Sequence, residues 1–246
     1  MLYVIEDQGS REYMEDKHSI EFKIHEDYDY YAIFDGHGTD KVAEFAKTYL
    51  KTIIKEELSN NVDDPATALF HSIMKFNNMI PKEMGNEAGS TAVIILRKNK
   101  TYWVANIGDS RIIMNSNKLA VKISEDHKPD SPSELKRITD LGGKVISVYG
   151  VARVMGNLSL SRAFGDFYLH PYVTCMPDIY KVECNDTNKF FVAATDGVWD
   201  VLSNQEVIDV VLNNSGKPIS TSMKELIQIA RSRGSGDNIT ILIFMA

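Results

Sequence analysis

Cysteine is scarce in this chain of 246 residues, which contains only Cys175 and Cys184. Two cysteines are too few for the disulfide framework of a small secreted protein or for a zinc site built from thiolates. Their scarcity favours a reducing compartment, and we therefore expect the protein in the cytosol, the nucleus or both.

Long apolar runs and an excess of positive charge are also missing. No run approaches the ~20 apolar residues that cross a bilayer, and Glu6 follows the start of the chain too closely for a signal peptide. Acidic residues number 34 against 27 Lys and Arg, which gives a formal net charge of −7. This balance argues against nucleic acid or an anionic membrane as the main partner.

The composition and the apolar pattern that remain indicate a folded domain of mixed type. Hydrophobic residues make up 43% of the chain, enough for a large core within one domain. Apolar periodicity predicts strands over residues 2–7, 17–23, 30–34, 91–96, 101–107, 111–115 and 239–244, and helices over 40–58, 65–79, 133–141, 204–212 and 220–233. Asp63 and Asp64 are candidate caps of the second helix. Helices grouped between runs of mostly antiparallel strands indicate an α+β fold, with sheets at the centre and helices outside.

Three apolar segments each run into an aspartate at their carboxyl end. These aspartates are Asp35, Asp109 and Asp196. Further acidic residues stand near the two ends of the chain, namely Glu15, Asp16 and Asp237. Buried strands that end at polar, turn-forming residues deliver carboxylates to sheet edges, where they repel each other unless cations hold them together. A set made only of oxygen ligands points to Mg²⁺ or Mn²⁺ rather than zinc, although a plain Asp-Gly turn explains any single site.

Eight short segments, most of which contain an acidic residue and most of which contain glycine, are spread over nearly the whole chain. They are 11–16 (REYMED), 34–38 (FDGHG), 89–92 (GSTA), 105–111 (ANIGDSR), 126–129 (DHKP), 160–166 (LSRAFGD), 195–200 (TDGVWD) and 236–238 (GDN). In wording and order they resemble motifs of the metal-dependent protein phosphatases of type 2C, and eukaryotic members in particular. The family usually has two glycines where this chain has Gly38 and Thr39. A β-branched residue suits a positive φ poorly, but Thr39 fits equally as a cap of the following helix.

The resemblance implies a four-layer αββα sandwich, in which two mostly antiparallel sheets are flanked by pairs of antiparallel helices. It implies a single catalytic domain over residues 1–246, with a small flap within 125–157. It also implies two Mn²⁺ or Mg²⁺ ions in a cleft at one end of the sandwich, with a place for a third, weaker ion. The resemblance implies that Asp35 bridges both ions, that Asp196 and Asp237 bind one of them, and that Glu15 and the carbonyl of Gly36 bind the other. It implies that Asp16 acts through metal-bound water and that Asn238 supports the site. It also implies that Asp109, together with Asp196, binds the weaker ion.

The activity implied by the resemblance is Mn²⁺- or Mg²⁺-dependent hydrolysis of phosphoserine and phosphothreonine in proteins. A hydroxide that bridges the two ions would attack phosphorus directly, without a covalent enzyme intermediate, so Asp35 would be central to catalysis. Arg11 would bind phosphate oxygens with its forked guanidinium, and its alternative role is a surface salt bridge. His37 is the best candidate for the acid, because a serine or threonine oxygen leaves poorly without a proton.

Two rival interpretations differ in how well the residues support them. A cysteine-based phosphatase needs an arginine six positions after its nucleophile, but Lys181 and Phe190 stand there after Cys175 and Cys184. The serious alternative is a catalytically silent phosphatase-like domain that binds a phosphoprotein or a regulator. Such a domain would be expected to lack metal ligands, whereas the two-metal set is complete here. We expect phosphoprotein substrates and a monomer, while the particular substrate, pathway and preferred metal stay open.

Overall fold

The computed structural model describes residues 1–60 and 64–246. The strands of this described part are β1 Leu2–Asp7, β2 Lys17–His25, β3 Tyr28–Phe34, β4 Gly36–His37, β5 Gly89–Ser90, β6 Ala92–Lys98, β7 Thr101–Ile107, β8 Arg111–Ser116, β9 Leu119–Lys122, β10 Val145–Val148, β11 Val151–Val154, β12 Phe164–Gly165, β13 Asp178–Glu183, β14 Asn188–Ala194 and β15 Ile239–Met245. Its α-helices are α1 Lys41–Asn60, α2 Pro65–Met79, α3 Lys82–Glu87, α4 Pro132–Asp140, α5 Asp196–Trp199, α6 Asn204–Asn213 and α7 Ile219–Ser232.

Two antiparallel sheets, each of five strands, form the centre of the molecule. The first sheet has the strand order β1-β15-β14-β8-β9, and the second has the order β13-β7-β6-β3-β2. Strands β3, β14 and β15 lie inside these sheets and are buried along nearly their whole length. Their near-continuous apolar sequences are therefore explained by burial on both faces.

The core between the two sheets is rich in aromatic side chains. Tyr31 and Tyr102 of the second sheet meet Phe191 and Phe244 of the first. The rings of Phe191 and Phe244 stack with their centroids 4.8 Å apart, and those of Tyr102 and Phe191 lie 4.6 Å apart. Aromatic pairs at such distances add to the free energy gained from burying their area, so this layer joins the sheets into one body.

Helices cover the outer face of each sheet. Buried apolar residues of α1 and α2 pack against β3, β6 and β7 on the second sheet. Those of α6 and α7 pack against β14 and β15 on the first. The order of layers is helix, sheet, sheet, helix, which confirms the predicted α+β sandwich.

Local sequence signals explain where two of these helices begin. The side chain of Asp64 accepts a hydrogen bond from the backbone N of Thr67 at 3.3 Å, and Pro65 occupies the first turn, where a missing N–H costs nothing. The other candidate cap, Asp63, lies outside the described residues. At the start of α6, Ser203 and Glu206 form a reciprocal capping box.

Several short elements were not predicted from the sequence. The two-residue strands β4, β5 and β12 form a small sheet in the order β12-β5-β4. Strands β10 and β11 form a separate hairpin whose turn residues, Tyr149 and Gly150, have φ values of 50° and 85°. The hairpin follows α4, and both fall mainly within the predicted flap region of residues 125–157. No helix of residues 1–60 and 64–246 is long and apolar enough to cross a membrane.

Candidate active site

A cleft of about 210 Å³ opens where strands of both central sheets end. Asp35 follows β3, Asp109 lies two residues after β7, Asp196 lies two residues after β14, and Asp237 lies two residues before β15. The residues that line the cleft are Arg11, Glu15, Asp35, Gly36, His37, Gly38, Asp109, Leu158, Ser159, Leu160, Asp196 and Asp237. The structure thus brings most of the predicted site residues together, while Asp16 and Asn238 do not line the cleft.

Three aspartates form the centre of this cleft. Asp35, Asp109 and Asp196 each bring one carboxylate oxygen to within 4.8 Å of the others. Burial raises the pKa of Asp35 well above its usual value, and the neighbouring charge of Asp196 raises it further. Burial and then the charge of Asp109 likewise raise the pKa of Asp196. These carboxylates therefore cannot all be ionised cheaply unless a cation lies among them.

Asp16 lies behind the cleft in a closed environment. It is 1% exposed, and its Oδ2 accepts a hydrogen bond of 2.9 Å from the hydroxyl of Thr195. Burial raises its pKa to about 7, although the neighbouring hydroxyls of Thr240 and Thr195 oppose that rise. Its action through metal-bound water remains a prediction, because Asp16 does not line the cleft.

Asn238 fixes the loop that carries Glu15. Its Oδ1 accepts a hydrogen bond of 2.7 Å from the backbone N of Glu15, and its Nδ2 donates to the carbonyls of Gln8 and Tyr13. A Cβ on Gly36 would lie 2.6 Å from the carbonyl oxygen of Glu15, so the close approach of these two segments requires glycine. Asn238 is 5% exposed and thus holds these loops through hydrogen bonds to their backbone, while its role as a support of bound metal stays a prediction.

Arg11 reaches the rim of the cleft from the N-terminal loop. Its Nη2 donates to Oδ2 of Asp237 at 2.7 Å, and both side chains are exposed. The hydrogen bond to Asp237 raises the pKa of Arg11, and the charges of Asp196 and Glu15 add to this effect. The alternative salt bridge considered for Arg11 is present in the structure. A guanidinium has five N–H donors, so this bond leaves others for a phosphate.

His37 is paired with a carboxylate that the sequence reasoning did not assign a role. Its Nε2 donates to Oδ2 of Asp166 at 2.7 Å, and the side chain of Asp166 is 3% exposed. Burial lowers the pKa of His37, but the hydrogen bond and charge of Asp166 outweigh it, so the pKa is raised. A Cβ on Gly89 would collide with both partners of this bond, which explains the glycine of the motif at residues 89–92.

Gly38 and Thr39 differ in backbone conformation. The positive φ of +78° falls on Gly38, where a Cβ would also collide with the backbone of Glu87. Thr39 lies outside that left-handed region, and its Oγ1 accepts from the backbone N of Lys41 at 3.4 Å, at the start of α1. The departure from the usual pair of glycines therefore costs no backbone strain.

Lys128 is a second residue that the sequence reasoning left without a role. Its ammonium group forms an ion pair with Oδ2 of Asp109 at the edge of the cleft. The motif at residues 126–129 contains this lysine, but sequence spacing gives no sign that it meets Asp109, 19 positions earlier.

The donor set of the cleft fits a hard divalent cation. All of the side chains at its centre offer carboxylate oxygen, which Mg²⁺ and Mn²⁺ prefer. Two buried oxygens, Oδ1 of Asp109 and Oδ1 of Asp16, have no hydrogen-bond partner within residues 1–60 and 64–246. A buried carboxylate oxygen without a partner is costly, and a cation at this place would offset that cost.

Comparisons with other proteins identify the family of this chain. The model of the protein phosphatase 2C family matches residues 2–239. The chain is 32% identical to "Probable protein phosphatase 2C 8" of Oryza sativa subsp. japonica over 252 residues, which cover 89% of this chain and 62% of that protein. It is 38% identical to "Probable protein phosphatase 2C 11" of Arabidopsis thaliana over 218 residues, which cover 87% of this chain and 57% of that protein. The chain therefore spans less than two thirds of the length of these relatives.

Solved structures show the same arrangement of layers. A serine-threonine phosphatase 2C from Toxoplasma gondii superposes with a TM-score of 0.85 at 24% identity, covering 99% of this chain and 94% of that one. A sex-determining protein of C. elegans superposes with a TM-score of 0.89 at 24% identity, covering 100% of this chain and 64% of that one. At this identity the likeness shows the fold alone. The family match over residues 2–239 and the relatives above 30% identity show that the chain belongs to the protein phosphatase 2C family.

Proposed function

We propose that this protein hydrolyses phosphoserine and phosphothreonine in proteins, in a reaction that depends on Mn²⁺ or Mg²⁺. The observation that carries the proposal is the cluster of Asp35, Asp109 and Asp196, whose carboxylate oxygens lie within 4.8 Å of one another. Membership of the protein phosphatase 2C family supports the same conclusion. A monomer and a cytosolic or nuclear location stay predictions from the sequence.

The acidic residues of the cleft would hold the divalent ions. Asp35 stands among the other carboxylates and is the residue best placed to serve more than one ion. Asp196, Asp237, Glu15 and Gly36 line the same cleft. When bound, two such ions supply Lewis-acid stabilisation of the phosphoryl group and a nucleophile drawn from water at neutral pH.

Two side chains at the rim would act on the substrate. Arg11 would turn its free N–H groups to phosphate oxygens, while its bond to Asp237 holds the guanidinium over the cleft. His37, whose pKa is raised by the hydrogen bond and charge of Asp166, would give a proton to the departing serine or threonine oxygen. Among the side chains that line the cleft, only Ser159 carries a hydroxyl or thiol of the serine or cysteine type. Within residues 1–60 and 64–246 no basic side chain forms a hydrogen bond with Ser159. This favours direct attack of water on phosphorus over a covalent enzyme intermediate.

The decisive experiment is phosphate release from a phosphothreonine peptide with Mn²⁺ and with a chelator. The wild-type chain is expected to release phosphate only with the metal, and Asp35→Asn is expected to lose the activity together with bound Mn²⁺. Asp140→Asn, at an exposed carboxylate on α4, is the matched control and should behave as the wild type.

The same assay separates the silent, phosphoprotein-binding alternative from an enzyme. A chain that holds Mn²⁺ and a phosphopeptide yet releases no phosphate would be a binding module, and the proposed activity would be rejected. Release that continues in chelator, or that survives Asp35→Asn, would reject the metal-dependent mechanism.

A further inference from the structure

The side chain of Lys128 pairs with one of the central carboxylates of the acidic cleft, although Lys128 does not itself line the cleft. Its Nζ bonds to Oδ2 of Asp109, whose side chain is 2% exposed, whereas that of Lys128 is 35% exposed. Asp109 is also one of the three clustered aspartates. The ammonium group of Lys128 therefore already contacts a carboxylate that is a candidate ligand of a divalent ion.

The backbone around Lys128 fixes this position. The backbone N of His127 donates to the carbonyl of Gly108 at 2.9 Å, and the backbone N of Gly108 donates to Nδ1 of His127 at 3.0 Å. On its other side, the carbonyl of His127 accepts from the backbone N and the hydroxyl of Ser161 at 3.0 and 2.9 Å. The segment is thus held against the turn that carries Asp109, while the side chain of Lys128 stays partly exposed.

The charges around Lys128 are mostly acidic. Burial lowers the pKa of Lys128, but Asp109, followed by Asp200 and Asp196, outweighs burial and raises it. Lys128 is therefore charged at neutral pH. It occupies Oδ2 of Asp109, while the buried Oδ1 has no hydrogen-bond partner in the described part of the chain.

We propose that Lys128 is a built-in cation of the cleft that competes with a divalent ion for Asp109. The ammonium group and a divalent ion on the same carboxylate would repel each other within a few ångströms, where the attraction of either for the carboxylate is strong. Binding of the ion at Asp109 then requires Lys128 to leave, and this lowers the affinity of that site. The inference rests on the proposed function in one respect, namely that the cleft binds divalent ions.

The first test measures Mn²⁺ binding to purified variants by isothermal titration calorimetry, with the number of sites and their dissociation constants as readout. Lys128→Met removes the charge but keeps most of the length of the side chain. Because the competing cation is gone, the dissociation constant of the weakest class of Mn²⁺ site should fall about tenfold or more, which corresponds to about 1.4 kcal/mol. Lys128→Arg keeps the charge and should leave the affinity near that of the wild type. Lys136→Met removes an exposed lysine of α4 and is the matched control.

A double-mutant cycle shows whether the effect acts through Asp109. In an Asp109→Asn background, Lys128→Met should no longer tighten Mn²⁺ binding, because the shared carboxylate is gone. A lysine with only a structural role would weaken metal binding when replaced. Unchanged or weaker Mn²⁺ binding in Lys128→Met, or an equal gain in both backgrounds, would overturn the proposal.

A measurement on the wild-type chain covers the case in which Lys128→Met does not fold. Reductive methylation of lysines, quantified by mass spectrometry during a Mn²⁺ titration, reports whether each amine is free. The rate at Lys128, relative to Lys136, should rise as the weakest site fills; a constant ratio would overturn the proposal. Phosphate release is not used in either test, so a chain that binds Mn²⁺ competitively but does not hydrolyse phosphopeptide would uphold this inference while failing the proposed function.

Discussion

His37 combines exposure to the cleft with a bond to a buried carboxylate. Its side chain lines the cleft, while Nε2 donates to Asp166 at 2.7 Å. The partner carboxylate stabilises the charged imidazolium, which is the form that can give up a proton. The residue was predicted as the acid from the sequence, but Asp166 stands 129 positions away, and no spacing rule connects them. Only the pairing of β5 with both β4 and β12 brings the two together.

Removing His37 should affect substrates according to their leaving groups. His37→Ala is expected to lower turnover of a phosphothreonine peptide about 10²–10⁴-fold when chemistry limits the rate, and to lower turnover of p-nitrophenyl phosphate clearly less. The reason is that p-nitrophenolate leaves readily without a proton. Steady-state rates at saturating Mn²⁺ check this, with His71→Ala, at a half-exposed histidine of α2, as control. Equal losses on both substrates would show that His37 only orders the turn.

Asp166 should set the pH range over which His37 works. Asp166→Asn removes the carboxylate that raises the pKa of His37, while burial, which lowers it, remains. Activity that needs protonated His37 falls as the pH rises through its pKa, so in this variant the fall in kcat should move to lower pH. Asparagine tolerates the left-handed φ of 48° at this position. The pH profile of kcat at saturating Mn²⁺ checks the shift, and a profile with an unmoved alkaline limb would contradict it.

At the scale of elements, long periodic segments were predictable and short ones were not. The bounds of α2 were predicted to the residue, and α1, α6 and α7 within about two residues, because amphipathic spacing over many residues averages out local exceptions. Strands β4, β5 and β12 have two residues each, which is too few for any period to show. These strands form because segments far away in the chain supply their hydrogen-bond partners. The local sequence does not show which segments will pair.

Helix α4 is tied to the segment after the hairpin by a buried carboxylate. Glu134 accepts hydrogen bonds from Arg162 at 2.6 Å and from Arg137 at 2.9 Å, and its side chain is 2% exposed. Arg162 also donates to Asp178 on β13 at 2.9 Å. Glu134→Gln would take the carboxylate partner from Arg137 and leave Arg162 with Asp178 alone, and breaking a buried pair in this way costs about 3 kcal/mol. Urea unfolding should show this loss, while Asp140→Asn, at the exposed end of α4, should change stability by less than about 0.5 kcal/mol.

The pH dependence of that difference follows from the same contacts. Burial raises the pKa of Glu134, but the hydrogen bonds from Arg162 and Arg137 outweigh it and lower the pKa to about 2. A carboxyl group whose pKa is lower in the folded state stabilises the protein above its unfolded value and loses that effect as the pH falls. The gap between wild type and Glu134→Gln should therefore shrink between pH 4.5 and about 2. A gap that stays constant over this interval would place the stabilisation in packing rather than charge.

At the scale of the whole molecule, two stacked sheets gather residues that are far apart in the sequence. Asp35 and Asp109 come from the second sheet, and Asp196 and Asp237 flank strands of the first. The runs of apolar residues that end in aspartate were enough to predict that carboxylates meet at one rim. They did not indicate which carboxylates lie closest, since Asp109 rather than Asp237 joins Asp35 and Asp196 within 4.8 Å. Asp237 is instead bonded to Arg11 at 2.7 Å.

This concentration of buried acid should make the free energy of unfolding depend on metal and pH together. Burial raises the pKa of Asp16 to about 7, and it raises the pKa of Asp35 as well. A carboxyl group whose pKa is higher in the folded state stabilises the protein below its unfolded value, here 3.8, and loses that effect as the pH rises through the folded value. In chelator the protein should thus be less stable at about pH 7.5 than at about pH 5.5, a range above the titration of Glu134.

Bound Mn²⁺ should remove the loss of stability between about pH 5.5 and about pH 7.5, because a cation favours the ionised carboxylates. At about pH 5.5, free ion at ~100 times its dissociation constant should add roughly 2.7 kcal/mol to the free energy of unfolding. The same concentration of free ion should add more at about pH 7.5, where fewer protons compete for the ligands and the dissociation constant is lower. Urea unfolding measures the free energy of unfolding at both pH values, each with Mn²⁺ and with chelator. Asp35→Asn is the control, since an amide neither titrates nor binds the ion as tightly, and its gain from Mn²⁺ should be much smaller. Coincident curves with metal and chelator in the wild type would show that the aspartates of this cleft do not form a metal site.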